Sequence, residues 1–291
     1  LELGKTKNDE HYYTDVIYRT NHAYEGILKE AYFVLTKKSD KSITPNNIEK
    51  YLLNNSILHN RVIALLENYR KEWRNTSTHD YQLFFNSGEA FLAILSVTSF
   101  IHLLLIQILD KLFYNAEVER IKPFIQKIKT KFNVDYSTQD FQTKINLLLK
   151  SYDGNLHQDE KEGKISLFTE REYLQGIAAH INLIDKNLKV LIEPNFELDT
   201  NIRPDILIED ENGEKAIIEI KVYKSQIRQT LIQSSFNQML SYLTKLRINN
   251  GYIFFIRRIM NSEIEIEHAL TEINIGDEKQ NIYTLKEKNR R

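Results

Sequence analysis

From residue 11 to about 150 the hydrophobic positions fall almost without interruption at helical spacing. Asp15, Arg19 and Glu30 alternate with apolar residues at that period, which predicts a first long amphipathic helix ending near Lys38. Thr44 followed by Pro45 supplies an N-cap and a first helical position for a second helical region, which runs through Ile63 and Leu66 to about Trp73. Residues 74–85 are polar and broken. Asn86 with Glu89 then forms a variant of the capping box and launches a very apolar helix to about Tyr114. Shorter helices are predicted near 123–132 and 138–152. Residues 153–165 are mostly polar, with two glycines and no apolar period, and read as a linker. Beyond it the period becomes mixed: a helix over about 169–185, strands over 203–208 and 216–222, a helix over about 225–246, then more strands. The expected fold is therefore α + α/β, with an all-helical domain at 1–152 and a mixed-sheet domain at 166–291.

The second half carries the clearest candidate chemistry. Alternation along 216–222 puts Ile217, Glu219 and Lys221 on one face of a strand and Ile218, Ile220 and Val222 on the other. Whether Asp205 joins Glu219 depends on the hairpin between them. A two-residue turn at Asn212-Gly213 would pair Asp205 with Ile220 and turn it away. A three-residue loop of Glu211, Asn212 and Gly213, with Gly213 left-handed as a bulge, pairs Asp205 with Glu219, and this is the expected register. Two carboxylates side by side form a hard oxygen site suited to Mg²⁺ or Mn²⁺. Lys221 beside them can orient or deprotonate an attacking water and stabilise charge growing on a phosphate. On the helix before the sheet, Glu170 falls in the stripe with Tyr173, Leu174, Ile177 and Ile181, where a carboxylate is costly unless a cation meets it; the plainer reading is a first-turn acid near the helix N-terminus. On the helix after it, Gln238 and Tyr242 lie one turn apart on one face. Each fragment alone also fits an ordinary half-exposed strand or helix.

Composition narrows the class. With 42% hydrophobic and 27% charged residues, 9 Gly and 4 Pro among 291 residues, the chain is of globular type and long enough for two cores. It has no cysteine, which removes disulfides, thiolate zinc sites and a cysteine nucleophile, and fits a cytoplasmic protein. The net charge of -1 means that a nucleic-acid partner must be held by a local basic patch. Residues 90–109 carry no formal charge, but Ser96, Thr98, Ser99, His102 and Gln107 interrupt them, and no basic flank orients them. They read as a core or dimer helix, not a membrane span. No phosphate-binding Gly-rich loop or nucleophile elbow is present.

Glu170 on a helix, Arg203-Pro204-Asp205 opening a strand, Glu219-Ile220-Lys221 in the next, and Gln238 to Tyr242 on the following helix together resemble the PD-(D/E)XK nuclease superfamily, including its Q-x-x-x-Y element, over about 168–260. The resemblance implies a metal-dependent phosphodiesterase acting most often on DNA, with Asp205, Glu219 and Glu170 near the metal and Gln238 and Tyr242 supporting the site. In the first half, Arg74, Asn75 and His79 lie in the break between two long helices. An imidazole can move a proton near neutral pH and a guanidinium can hold a phosphate. An Arg-polar-x-x-x-His motif at such a break in a helical domain resembles the HEPN superfamily over roughly 10–120. That resemblance implies a homodimer and, where catalytic, metal-independent RNA cleavage in which Arg74 binds phosphate, Asn75 supports the geometry and His79 acts as acid or base. The expected whole is a dimeric nuclease of phage defence or restriction. The alternatives are an RNase working through Arg74 and His79, and a noncatalytic dimeric scaffold that binds nucleic acid.

Overall fold

A computed structural model describes residues 10–38, 40, 42–74, 85–132, 134–152, 169–194, 196, 202–224, 226–257, 266–275 and 278–288. The chain is mixed helix and sheet, helical in its N-terminal part with a six-stranded sheet in its C-terminal part. It divides into two compact units, Leu1–Leu112 and Phe113–Arg291. This differs from the break expected at 153–165, most of which lies outside the described residues.

The first unit holds α1 (Glu10–Thr36), α2 (Pro45–Asn54), α3 (Asn60–Tyr69) and most of α4 (Ser87–Ile121). The single helical region expected over 45–73 is in fact two helices, separated where Ser56 takes a positive φ of 50°. Thr44 caps α2 with its side chain, as Thr-Pro predicts. Tyr24, Leu28 and Ala31 of α1, Ile48 and Leu52 of α2, Leu66 and Tyr69 of α3, and Phe100 and Leu104 of α4 form its main core. Gln107, which breaks the apolar run of α4, accepts from the His59 backbone N–H (3.1 Å) and donates to the Ile57 carbonyl (2.7 Å), so it satisfies the bend between α2 and α3. The stretch Ser87–Thr130 is long and apolar enough to cross a membrane, but Gln107 and Asp110 inside it are buried polar groups.

The second unit contains the end of α4, α5 (Ile125–Thr130), α6 (Phe141–Ser151), α7 (Glu170–Ile184), α8 (Gln229–Leu246) and strands β1 (Lys189–Ile192), β2 (Ile206–Glu209), β3 (Lys215–Tyr223), β4 (Asn250–Arg257), β5 (Ile266–Ile275) and β6 (Glu278–Glu287). The sheet order is β1-β2-β3-β4-β6-β5, with β3, β4 and β6 parallel and β1, β2 and β5 paired antiparallel to their neighbours. Both faces are covered, which is why β3 and β4 are nearly continuous in apolar residues. Ile206, Ile208, Ile218, Ile220 and Phe254 share one core with Tyr173, Ile177 and Ile181 of α7. Ile121, Phe132, Phe141, Ile145 and Leu149 join that same core, so the helices after residue 112 belong with the sheet. Leu207, Ile217, Ile253 and Phe255 pack on the other face against Met239, Tyr242 and Leu243 of α8. A Cβ at Gly251 would stand 2.4 Å from Met239 Sδ, so the bare backbone there lets α8 lie close on β4.

Candidate metal centre and its supports

The hairpin of β2 and β3 adopts the bulged register. Ile206 pairs with Ile218 and Glu209 with Lys215, which continues to set Asp205 opposite Glu219. The loop is closed by Asp210 and Glu214, with Gly213 at a φ of +81° as the left-handed residue. The Asp210 side chain fixes it further by accepting from the N–H groups of Asn212 (2.9 Å) and Glu214 (2.8 Å). Gly213 thus decides, through register alone, that two carboxylates and a lysine share the face covered by α8.

Asp205 is held from both sides. Its carbonyl accepts from the Glu193 N–H (2.8 Å), and its Oδ2 accepts from the Ile220 N–H (2.6 Å). Glu219 is only 2% exposed; its Oε1 accepts from Lys221 Nζ (2.7 Å), and its buried Oε2 has no hydrogen-bond partner among the described residues. An unsatisfied buried carboxylate oxygen is expensive. Burial, and then the charge of Glu219, push Asp205 up to about 7. Burial also raises Glu219, against the pull of Lys221. For Lys221 burial acts to lower the pKa but is outweighed by Glu219, Asp205 and Glu170, so the ammonium is held above its ordinary value. In the metal-free protein Lys221 is therefore held as a cation, suited to stabilising charge.

Glu170 is the first residue of α7 and is exposed, not set in the buried stripe, because the packed surface begins only at Tyr173. Its charge still reaches the cluster, raising both Asp205 and Glu219. Among the described residues no three carboxylate or imidazole side chains converge as a metal-binding group, so Asp205 and Glu219 form a pair to which Glu170 is an outlying charge. The oxygen donors, the unpartnered Oε2 and the mutual repulsion fit a hard divalent cation. Gln238 Nε2 donates to the Tyr242 hydroxyl (2.8 Å), which donates to the Arg203 carbonyl (3.2 Å). These two side chains brace the start of the strand that carries Asp205.

The raised Asp205 has a measurable consequence. The unfolded chain ionises this group near 3.8, the folded metal-free chain only near 7, so between those values the folded state binds the extra proton and loses stability as pH rises. In chelator, Asp205→Asn should melt a few degrees above the parent at pH 8, with the gap closing towards pH 4. Mg²⁺ should raise the parent's Tm at pH 8 and leave the variant's unchanged. A gap independent of pH would contradict the assigned burial and repulsion.

In the first unit, Arg74 ends a π-helical turn (Arg70–Arg74) that widens the last turn of α3. Its guanidinium pairs with Glu49 (3.4 Å) and Glu25 (3.6 Å). Asn75 and His79 lie outside the described residues. Glu49, which sequence reading passed over, is fully buried; it accepts from the Tyr24 hydroxyl (3.0 Å) and also pairs with Arg70 (3.4 Å). The signal was there: Glu49 sits between Ile48 and Leu52 on the apolar side of α2, where an acid persists only if cations meet it. No family model, no curated protein and no solved structure matches this chain.

Proposed function

We propose that the C-terminal unit is a Mg²⁺-dependent nuclease of the PD-(D/E)XK type, acting on DNA. The observation that carries this reading is the bulged hairpin, which sets Asp205 opposite Glu219 with Lys221 bonded to Glu219. Asp205 and Glu219 would hold the metal, Mn²⁺ serving in place of Mg²⁺. When bound, the ion polarises a phosphoryl oxygen and offsets the negative charge that the two carboxylates and a phosphodiester would otherwise set against one another. Lys221, kept cationic, stabilises the charge developing on the phosphate in a site with little water. The Ile220 N–H fixes the orientation of Asp205, and the Gln238–Tyr242 pair holds its strand in place. Glu170 adds negative potential at the rim, which favours cation binding.

For the first unit the favoured reading is a dimerisation module. Phe91, Leu95, Leu105, Leu109 and Leu112 of α4 are each 42–53% exposed, and with Thr98 and His102 they follow the alternating four- and three-residue spacing of a coiled-coil seam. A second copy is the occupant this face suits. It is self-complementary, its polar residues sit at its middle, and pairing two copies buries on the order of 1,000 Å², the lower bound for a stable interface. The rival, an RNase at Arg74 and His79, has less support, because Glu49 and Glu25 already engage the guanidinium that would bind phosphate. A dimeric nuclease suits a role in phage defence or restriction.

Incubating the purified protein with DNA and RNA, with Mg²⁺ or with chelator, separates the readings. The nuclease reading expects DNA cleavage that vanishes in chelator. RNA cleavage that survives chelator, leaves a 2′,3′-cyclic phosphate and disappears in His79→Ala would instead assign activity to the first unit.

A further inference from the structure

The exposed seam of α4 reads the same in both directions. Phe91, Leu95, Thr98, His102, Leu105 and Leu109 follow one another at intervals of four, three, four, three and four residues, and all are exposed. In the heptad of a two-helix contact Leu95, His102 and Leu109 then occupy one kind of core position and Phe91, Thr98 and Leu105 the other. The residues flanking the seam, Leu92, Ile94, Ser99, Ile101, Ile106 and Ile108, carry no charge. Flanking charges ordinarily choose between parallel and antiparallel pairing of two helices. Here the choice falls to shape and to the two polar residues.

Two parallel copies would set each residue against itself. One layer would hold two Phe91 rings and another two His102 imidazoles, while the layer at Gly88, exposed on the same face, would hold no side chain at all. Antiparallel copies centred on residue 100 pair the seam without remainder. Phe91 then meets Leu109, Leu95 meets Leu105, and Gly88 leaves room for Leu112. Phe100 itself points into the core of its own unit and leaves the centre clear. The His102 ring N–H of each copy can donate to the Thr98 hydroxyl of the other, so the two polar residues satisfy one another at the middle of the contact. Against lipid the same two would lie unpartnered in the middle of an apolar stripe. We propose that two copies of the chain pair α4 against α4 in antiparallel fashion, centred on residue 100, with His102 of each opposite Thr98 of the other. This rests on the reading of the seam as a self-association surface and adds to it an orientation and a register.

The chain has no cysteine, so single cysteines placed in the seam report the pairing without interference. Leu95→Cys and Leu105→Cys are made separately in the whole chain; both positions are exposed, so neither change disturbs packing within one copy. In the antiparallel register residue 95 stands ten residues, about 15 Å of helix, from its counterpart in the second copy. That is beyond the ~7 Å that a disulfide spans between Cα atoms. Under mild oxidation each variant alone should therefore stay uncross-linked. An equimolar mixture, exchanged first under reducing conditions, should cross-link up to about half of its chains, the statistical share of mixed dimers. Light scattering of the reduced variants shows beforehand whether they are dimers, which separates failure of the register from failure of the seam. A dimer in which Leu95→Cys alone cross-links as readily as the mixture is parallel and would overturn the proposal. So would a dimer in which not even the mixture cross-links. A monomer would remove the second copy and the register together, and its partition into phosphatidylcholine vesicles would give the stripe to lipid.

Discussion

Glu219→Gln should reduce Mg²⁺-dependent DNA cleavage by ~1,000-fold, and Asp205→Asn by a similar factor, because each removes one of two carboxylates that together oppose the charge of the ion. The amide keeps the shape of the carboxylate, and in Asp205→Asn it can still accept from the Ile220 N–H, so loss of activity there is not loss of fold. Lys221→Ala should behave differently. The lysine bonds to Glu219 and not to substrate in the resting protein, so its removal should cost ~100-fold in rate while metal affinity holds or rises. Calorimetric titration with Mg²⁺ or Mn²⁺ distinguishes the two classes: the carboxylate variants lose the heat of binding and Lys221→Ala keeps it. Glu219→Gln cleaving DNA at the parent rate, with the protein free of contaminating nuclease, would sink the assignment of the site.

The pairing of Asp205 with Glu219 was legible in the sequence because its logic is periodic. Alternation in β3 sets Glu219 and Lys221 on one face, and the choice between a two- and a three-residue loop fixes Asp205, with Gly213 as the deciding residue. Glu170 was misplaced by the same kind of reasoning. Helical projection says which residues share a stripe but not where along the helix packing begins, and α7 meets its neighbours only from Tyr173 onward. The support from Tyr242 to the Arg203 carbonyl spans 39 residues and could be seen only once α8 was laid on the sheet.

The division into compact units falls elsewhere than the expected linker for a related reason. A polar stretch at 153–165 is a reasonable linker by composition, but helical period does not reveal which core a helix joins. Ile121, Phe141, Ile145 and Leu149 are apolar at helical spacing in either case; only the packing shows that they share a core with Tyr173 and Ile218. The buried Glu49 was overlooked because a single acid in an amphipathic helix passes for a surface residue until its cations, 21 and 25 positions away, are brought to it.

The α4 seam carries the second large effect. If a second copy covers it, Leu105→Glu with Leu109→Glu places four carboxylates in one apolar interface, where each desolvated charge costs several kcal/mol. The dissociation constant should then rise by ~1,000-fold or more, at ~1.4 kcal/mol per decade, and light scattering should show a dimer become a monomer at micromolar concentration. Both positions face solvent in the single chain, so the monomer's helical circular dichroism and melting temperature should be unaffected. The variant also separates the two units functionally. On the proposed reading, cleavage of DNA through Asp205 and Glu219 draws its residues from one chain and should persist, whereas any chelator-resistant RNA cleavage built from Arg74 and His79 of two copies should disappear with the dimer. A parent protein that is already monomeric at these concentrations would refute the seam as a self-association surface. Partition of that monomer into phosphatidylcholine vesicles would name lipid as what the stripe of Phe91, Leu95, Leu105, Leu109 and Leu112 meets.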